Sequence, residues 1–255
     1  MSVSLRLERR DDVVVAQMAH GKANALDLEF CATIVSTLDA LAASSARAVV
    51  LTGTGSIFSA GVDLLRLCDD GPDYRSRFVP ALSELMDALF SFPRPLVAAV
   101  NGHAVAGGCL IACTADHRIM TRGSGRIGVP ELMVGIPFPT KALEVLRFVV
   151  PSQYLQAVVY RGAAYTPDEA LAIGLIDEVA EPAALVNAAV AAAARMAALP
   201  PDVFALTKRQ LRAPALAFMQ AGAARDEEIA TIWTDPAAID RVRDYVARTF
   251  KRRVQ

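Results

Sequence analysis

The spacing of apolar positions changes character several times along the chain. Val13 to Met18, Ala48 to Leu51 and Leu96 to Val100 are short, rich in β-branched or small apolar residues and bounded by turn residues, which predicts buried strands. Met1 to Arg10 alternates charged and apolar residues and reads as a first strand, and His117 to Thr121 as a later one. Leu26, Phe30, Ile34, Leu38 and Leu41 recur at helical spacing and predict a helix over 26–43. Val79 to Phe92 is helical up to Pro93 and Pro95, Cys109 to Ala115 is a short helix, and Thr140 to Val150 is another. Between these, Arg66 to Phe78 is charged and less regular, which reads as a mobile segment or lid.

Thr166-Pro167-Asp168-Glu169 has the spacing of a capping box, and Gly174 suits the end of that helix. Leu175 to Val179 reads as a strand. After Pro200-Pro201 the pattern is helical only, with breaks expected at Pro214 and Pro236. Strands alternating with helices, then helices alone, predict an α/β fold of repeated βαβ units over residues 1–200 and a helical region over 201–255.

Composition narrows the function. Of 255 residues 54% are apolar but only 6% aromatic, so alanine-rich helices supply much of the core. A formal charge of −1 carries no global field toward nucleic acid or a lipid surface. Ala183 to Leu199 is the longest apolar stretch, but Asn187 and Arg195 make it an amphipathic helix rather than a membrane span. With no signal-peptide pattern at the N-terminus and four cysteines that form no CxxC pair, a cytoplasmic protein with reduced thiols is expected.

Two segments, Val49 to Leu64 and Val97 to Ala115, share a plan: buried strand, glycine-containing turn, helix. Two such turns side by side can aim two backbone N–H groups at one oxygen; the same glycines also serve close packing in any α/β protein. Neither turn has a dinucleotide or P-loop fingerprint, there is no GxSxG, and only three histidines are available. Cys109, Cys113 and His117 fall at i, i+4, i+8, but His117 begins a strand, so small thiols in a buried helix account for them better than zinc. In Gly128-Val129-Pro130-Glu131 the carboxylate suits a helix first turn; among its apolar neighbours it also suits a proton shuttle with a raised pKa.

Taken in order, Asn24-Ala25-Leu26, Phe58-Ser59-Ala60-Gly61-Val62-Asp63-Leu64, Asn101-Gly102-His103-Ala104-Val105-Ala106-Gly107-Gly108-Cys109 and Pro130-Glu131-Leu132-Met133-Val134-Gly135-Ile136 resemble the crotonase (enoyl-CoA hydratase/isomerase) signature, as do Gly174 to Val179 and Phe250-Lys251. The resemblance implies a crotonase-like spiral with a C-terminal helical region that builds a homotrimer or a dimer of trimers. It implies an acyl-CoA substrate, with coenzyme A as part of the substrate and no separate cofactor. Val62 and Gly107 would form an oxyanion hole. Ala23, Ala25, Ala60, Val62, Asp63, Leu64 and Leu65 would line the CoA site, and Phe250 and Lys251 would reach the CoA of a neighbouring subunit.

The departures bear on the reaction. Hydratases of this family use two glutamates; the second matches Glu131, while Leu110 stands at the position of the first. One base suffices to move a double bond, so the pattern resembles the monofunctional Δ3,Δ2-enoyl-CoA isomerases. The alternatives are a hydratase, decarboxylase or hydrolase borrowing Asp69, Asp70 or Asp73, and a binding protein without catalysis.

Overall fold

The computed structural model describes residues 4–251, without the side chains of residues 223, 224, 250 and 251. Two sheets organise them. The larger has the order β1 (Leu5–Arg10), β2 (Val13–Met18), β3 (Ala48–Thr52), β5 (Leu96–Val100), β7 (His117–Thr121) and β10 (Glu178–Ala180), parallel except for the β1–β2 hairpin. The smaller joins β4 (Ile57–Ser59), β6 (His103–Val105), β8 (Ile127–Gly128) and β9 (Ala164–Tyr165). After β3, β5 and β7 the chain crosses from the large sheet to the small one, so equivalent turns of the spiral stack. Asn101 fastens two of these crossings: its Oδ1 accepts from Gly53 N at 2.8 Å and its Nδ2 donates to the Gly55 carbonyl at 3.0 Å.

The first helices are α1 (Leu28–Ala43), α2 (Leu64–Asp69), α3 (Gly71–Phe90), α4 (Gly107–Thr114), α5 (Glu131–Val134) and α6 (Thr140–Val149). Then follow α7 (Ser152–Arg161), α8 (Pro167–Ala172), α9 (Leu185–Ala197), α10 (Pro201–Gln220), α11 (Ala223–Thr234) and α12 (Pro236–Lys251). The central strands of the large sheet, β2, β3, β5 and β7, are buried on both faces, whereas β1 is largely exposed. One face meets α9 through Leu185, Ala189, Ala192, Ala193 and Ala197, a single small-residue stripe that lets the helix lie close to Val13, Val50 and Val97. Among the described residues no single helix is long and apolar enough to cross a bilayer; α9 and α10 reach that length only as a pair bent by 101°.

Three expectations need correction. The segment from Arg66 to Phe78 is not an irregular lid: it forms α2 and the first turns of α3, with Leu67, Tyr74, Arg75 and Phe78 buried and Asp69, Asp70, Asp73 and Arg77 exposed. Pro214 does not break α10, just as Pro80 is carried inside α3. Both prolines are exposed, so the carbonyl each leaves unpaired, at Gln210 and Ser76, faces solvent. The strand expected over 175–179 is confined to Glu178–Ala180, because Leu175 N and Ile176 N turn back to the Ala170 carbonyl to close α8. The capping box on Thr166 and Glu169 is formed, and Gly174 takes φ +73°.

The C-terminal helices are pinned to the sheet by a buried charge cluster. Asp116, immediately before β7, accepts from Lys208 Nζ and from an Arg212 guanidinium nitrogen, each at 2.7 Å, and from Leu96 N at 2.9 Å. Lys208 Nζ also donates to the Arg94 carbonyl, and Arg212 to that of Phe90. Burial pushes the Lys208 ammonium down to about 8, partly opposed by Asp116. Removing Asp116 would strand two buried cations. Asp116→Asn is therefore expected to cost about 3–5 kcal/mol in urea unfolding, and a loss below about 1 kcal/mol would contradict this account.

Candidate active site

The two glycine turns meet, and the hydrogen bonds around them explain how. Asn24, buried with φ +47°, accepts from His20 N through Oδ1 at 2.9 Å and donates through Nδ2 to the Phe58 carbonyl at 3.0 Å. The Ser59 hydroxyl donates to the Asn24 carbonyl at 2.7 Å and accepts from Gly61 N at 3.1 Å. Leu26 N then donates to the Gly61 carbonyl at 2.8 Å, and Asp63 N to the Leu26 carbonyl at 2.9 Å. This is a parallel bridge across Leu26 and Val62. In such a bridge the residue between the two bonded ones turns its own N–H and C=O the opposite way. Val62 N–H therefore points away from Leu26, toward the second turn.

That second turn comes very close. A methyl group on Gly61 (φ +81°) would stand 2.6 Å from the Val105 carbonyl oxygen and 2.8 Å from Gly107 N. Ala106, ahead of α4, has φ +53° and ψ −126°, a costly conformation for a residue with a Cβ. Its own N–H is spent on the Gly128 carbonyl at 2.8 Å, which leaves Gly107 N–H at the open start of α4. Among the described residues neither Val62 N–H nor Gly107 N–H has an acceptor. Gly108 serves packing: a Cβ there would lie 2.2 Å from the Ser59 carbonyl oxygen.

Val62 and Gly107 open onto a cavity of about 70 Å³. Glu131, the first residue of α5, lines the same cavity and is only 6% exposed. Its Oε2 is buried without a hydrogen-bond partner, and burial raises its pKa to about 8. The opposing walls are apolar: Leu82 of α3, Leu110 of α4, Val134 and Ile136. Of the cavity-lining residues among those described, Glu131 is the one carboxylate, and none of the three histidines is included. A larger hollow of about 210 Å³, between Arg47, Arg94 and Phe204, contains none of the motif residues.

The structure gathers some of the expected site residues and separates others. Glu131, Val62, Gly107, Ala60 and Leu64 share the cavity. Ala23 stands beside its mouth, its carbonyl accepting from Ala60 N at 2.9 Å, and Ala25 is half-buried in the same segment. Leu65 is exposed. Asp63 has a plain structural task, capping α2 by accepting from Leu65 N and Arg66 N at 3.1 Å. The backbone of Phe250 and Lys251 ends α12, and their side chains lie outside the described residues. Asp70 is paired with Arg66 at 2.8 Å, and Asp69 and Asp73 are exposed, so none of the three lines the cavity. Cys109 and Cys113 are buried in α4, and His117 starts β7 beside Glu178.

Three cavity residues escaped the sequence reading: Leu82 of α3, Trp233 of α11 and Tyr245 of α12. All three lie in helices whose pattern reports only burial. The lone tryptophan of the chain was the available signal.

Comparison with known proteins agrees with this geometry. The family described as enoyl-CoA hydratase/isomerase matches residues 8–241. Human mitochondrial enoyl-CoA delta isomerase 1 is 32% identical over 203 residues, 78% of this chain and 67% of that protein. The 2,3-dehydroadipyl-CoA hydratase of Escherichia coli is 29% identical over 210 residues, covering 82% of this chain and 81% of the relative. The crystal structure of human mitochondrial delta3-delta2-enoyl-CoA isomerase superposes with a TM-score of 0.93 at 27% identity, covering 98% of this chain and 99% of the other. With the ordered motifs, the spiral fold and the family match in agreement, the chain belongs to the enoyl-CoA hydratase/isomerase family.

Proposed function

We propose that this family member is an enoyl-CoA isomerase that moves a β,γ double bond of an acyl-CoA thioester into α,β conjugation. The observation that carries the reading is a single carboxylate, Glu131, in a mostly apolar lining beside two unpartnered N–H groups. The thioester oxygen would sit between Val62 N–H and Gly107 N–H. Glu131 as carboxylate takes a proton from C2, and the C2–H electron pair delocalises through the carbonyl and the β,γ double bond as a dienolate. The two N–H groups stabilise the charge that develops on the oxygen. Glu131, now protonated, returns the proton at C4; the double bond ends between C2 and C3, and the base is restored. Nothing is consumed. The CoA portion would lie across the mouth against Ala23, Ala25, Ala60 and the 62–65 segment, within a homotrimer or dimer of trimers in the cytoplasm.

A hydratase is the second reading, favoured by the near-equal identity to relatives named as hydratases, such as the putative enoyl-CoA hydratase of Thermus thermophilus at 34% over 194 residues. Leu110 weighs against it. Leu110 lines the cavity where a second carboxylate would face the substrate, and a leucine neither activates water nor donates a proton.

Proton NMR separates the readings. With a β,γ-unsaturated hexenoyl-CoA, the wild type is expected to yield the conjugated isomer, and Glu131→Gln to lose about 10²–10⁴ in rate. Hydration of the conjugated thioester without isomerisation would transfer the assignment to the hydratase; undiminished turnover by the variant would remove Glu131 from the mechanism.

The raised pKa makes a second prediction. A base must be ionised, so kcat/KM should climb as pH rises through about 8 and level off above it. Stability runs the other way. A carboxyl whose pKa is higher in the folded state costs nothing while both states are protonated, and its penalty grows as pH rises from the unfolded value near 4.5 to about 8. Glu131→Gln should thus match the wild type in denaturant midpoint near pH 4 and exceed it by pH 8. A constant difference across that range would contradict the assigned pKa.

A further inference from the structure

We infer that Trp233 closes the inner end of the acyl subsite and restricts the protein to short acyl chains, of about six carbons or fewer. This rests on reading the cavity as an acyl-CoA site, and concerns how far that site extends. The entrance lies where Ala60 is exposed and Val62 and Leu64 are half-buried. Beside Gly107 and Glu131 the lining includes the buried Trp233, 1% exposed, and Leu82, 2% exposed, with the half-buried Tyr245 alongside.

Trp233 is held from two sides. Its indole N–H donates to the Pro137 carbonyl at 3.0 Å, which ties α11 to the segment following Glu131. On another side its ring lies 6.4 Å from that of Phe78, which is itself completely buried on α3. A side chain so fixed is a wall, since moving it breaks a partly buried hydrogen bond and disturbs a packed core. The cavity of about 70 Å³ offers room for roughly five to seven water-sized groups. The thioester carbon and oxygen take two of these. What remains suits butenoyl and hexenoyl chains, whereas a longer chain must displace Trp233.

Binding reads this limit without requiring turnover. Saturated butanoyl-, hexanoyl-, octanoyl- and decanoyl-CoA would be titrated calorimetrically into the full-length wild type and Trp233→Leu. Each methylene that fits should tighten binding about fourfold. In the wild type this gain is expected up to hexanoyl and then to stop or reverse. In Trp233→Leu it should continue, raising the decanoyl-to-hexanoyl affinity ratio at least tenfold. Leu82→Ala opens the adjoining wall and should shift the ratio in the same sense, so the inference stays testable should the tryptophan variant fail to fold. Wild-type affinity that keeps climbing through decanoyl, or a ratio unchanged in the folded variants, would overturn it. A length limit in a protein that isomerises nothing would uphold the wall and reject the reaction; no binding of any of the four would reject both.

Discussion

The site depends on a backbone constraint: the parallel bridge between Leu26 and Val62 must form while the Gly61 turn packs against the start of α4. Leu26 N and Asp63 N consume the acceptors around Val62, and so decide where the Val62 N–H points. The tight approach of Gly61 to Gly107 N decides what it points beside. Asn24, Ser59 and Asn101 are the polar side chains that hold this arrangement, and each works through backbone groups. An unmet buried polar group costs about 1–3 kcal/mol against a native margin of about 5–15 kcal/mol. Two free N–H groups and the unpartnered Glu131 Oε2 in one cavity are therefore a concentrated expense, borne by the two-sided burial of the central strands β2, β3, β5 and β7 and by the α9 stripe. Such a concentration marks a functional site more surely than any one motif.

The apolar wall and the proton chemistry are one design. Leu82, Leu110, Val134 and Ile136 surround the Glu131 carboxyl, and desolvation, partly opposed by a backbone hydrogen bond, lifts its pKa to about 8. A carboxylate so placed is a stronger base than one in water and still exchanges its proton near neutrality. The same desolvation strengthens the pull of the two N–H groups on a developing oxyanion. Replacing Leu110 by a second carboxylate would bring a like charge and water into this cavity and change both effects together. The residue that departs from the hydratase pattern thus belongs to the physical conditions under which a single base can work.

How much of this was legible in the sequence depends on the range of the interaction. Most strands and the Thr166 capping box follow from local spacing and turn chemistry, and the ordered motifs place Val62, Gly107 and Glu131 around one cavity. The failures came from context. Arg66, Asp69, Asp70 and Asp73 made 66–78 look irregular, because the Tyr74 and Phe78 face is apparent only once α3 is known to continue into Val79, Leu82 and Met86. Pro80 and Pro214 sit mid-helix because their freed carbonyls face water, which local sequence cannot report. Asp63 carried the motif's functional reading, yet its visible work is capping α2.

The inner half of the cavity was the least legible, for a topological reason. Trp233 and Tyr245 lie more than a hundred residues beyond Val62 and Gly107, on helices that return over the spiral after the last strand. Helical periodicity reports that a residue is buried, not which cavity it closes. The motif-bearing half of the site is built from backbone, whose geometry tolerates little substitution; the closing half is built from side chains, whose size can change without disturbing the oxyanion hole. On the proposed reading, chemistry and chain-length selectivity are therefore physically separable: the turns that follow β4 and precede α4, with Glu131, would govern the first, and the α11 side chain meeting α3 would govern the second.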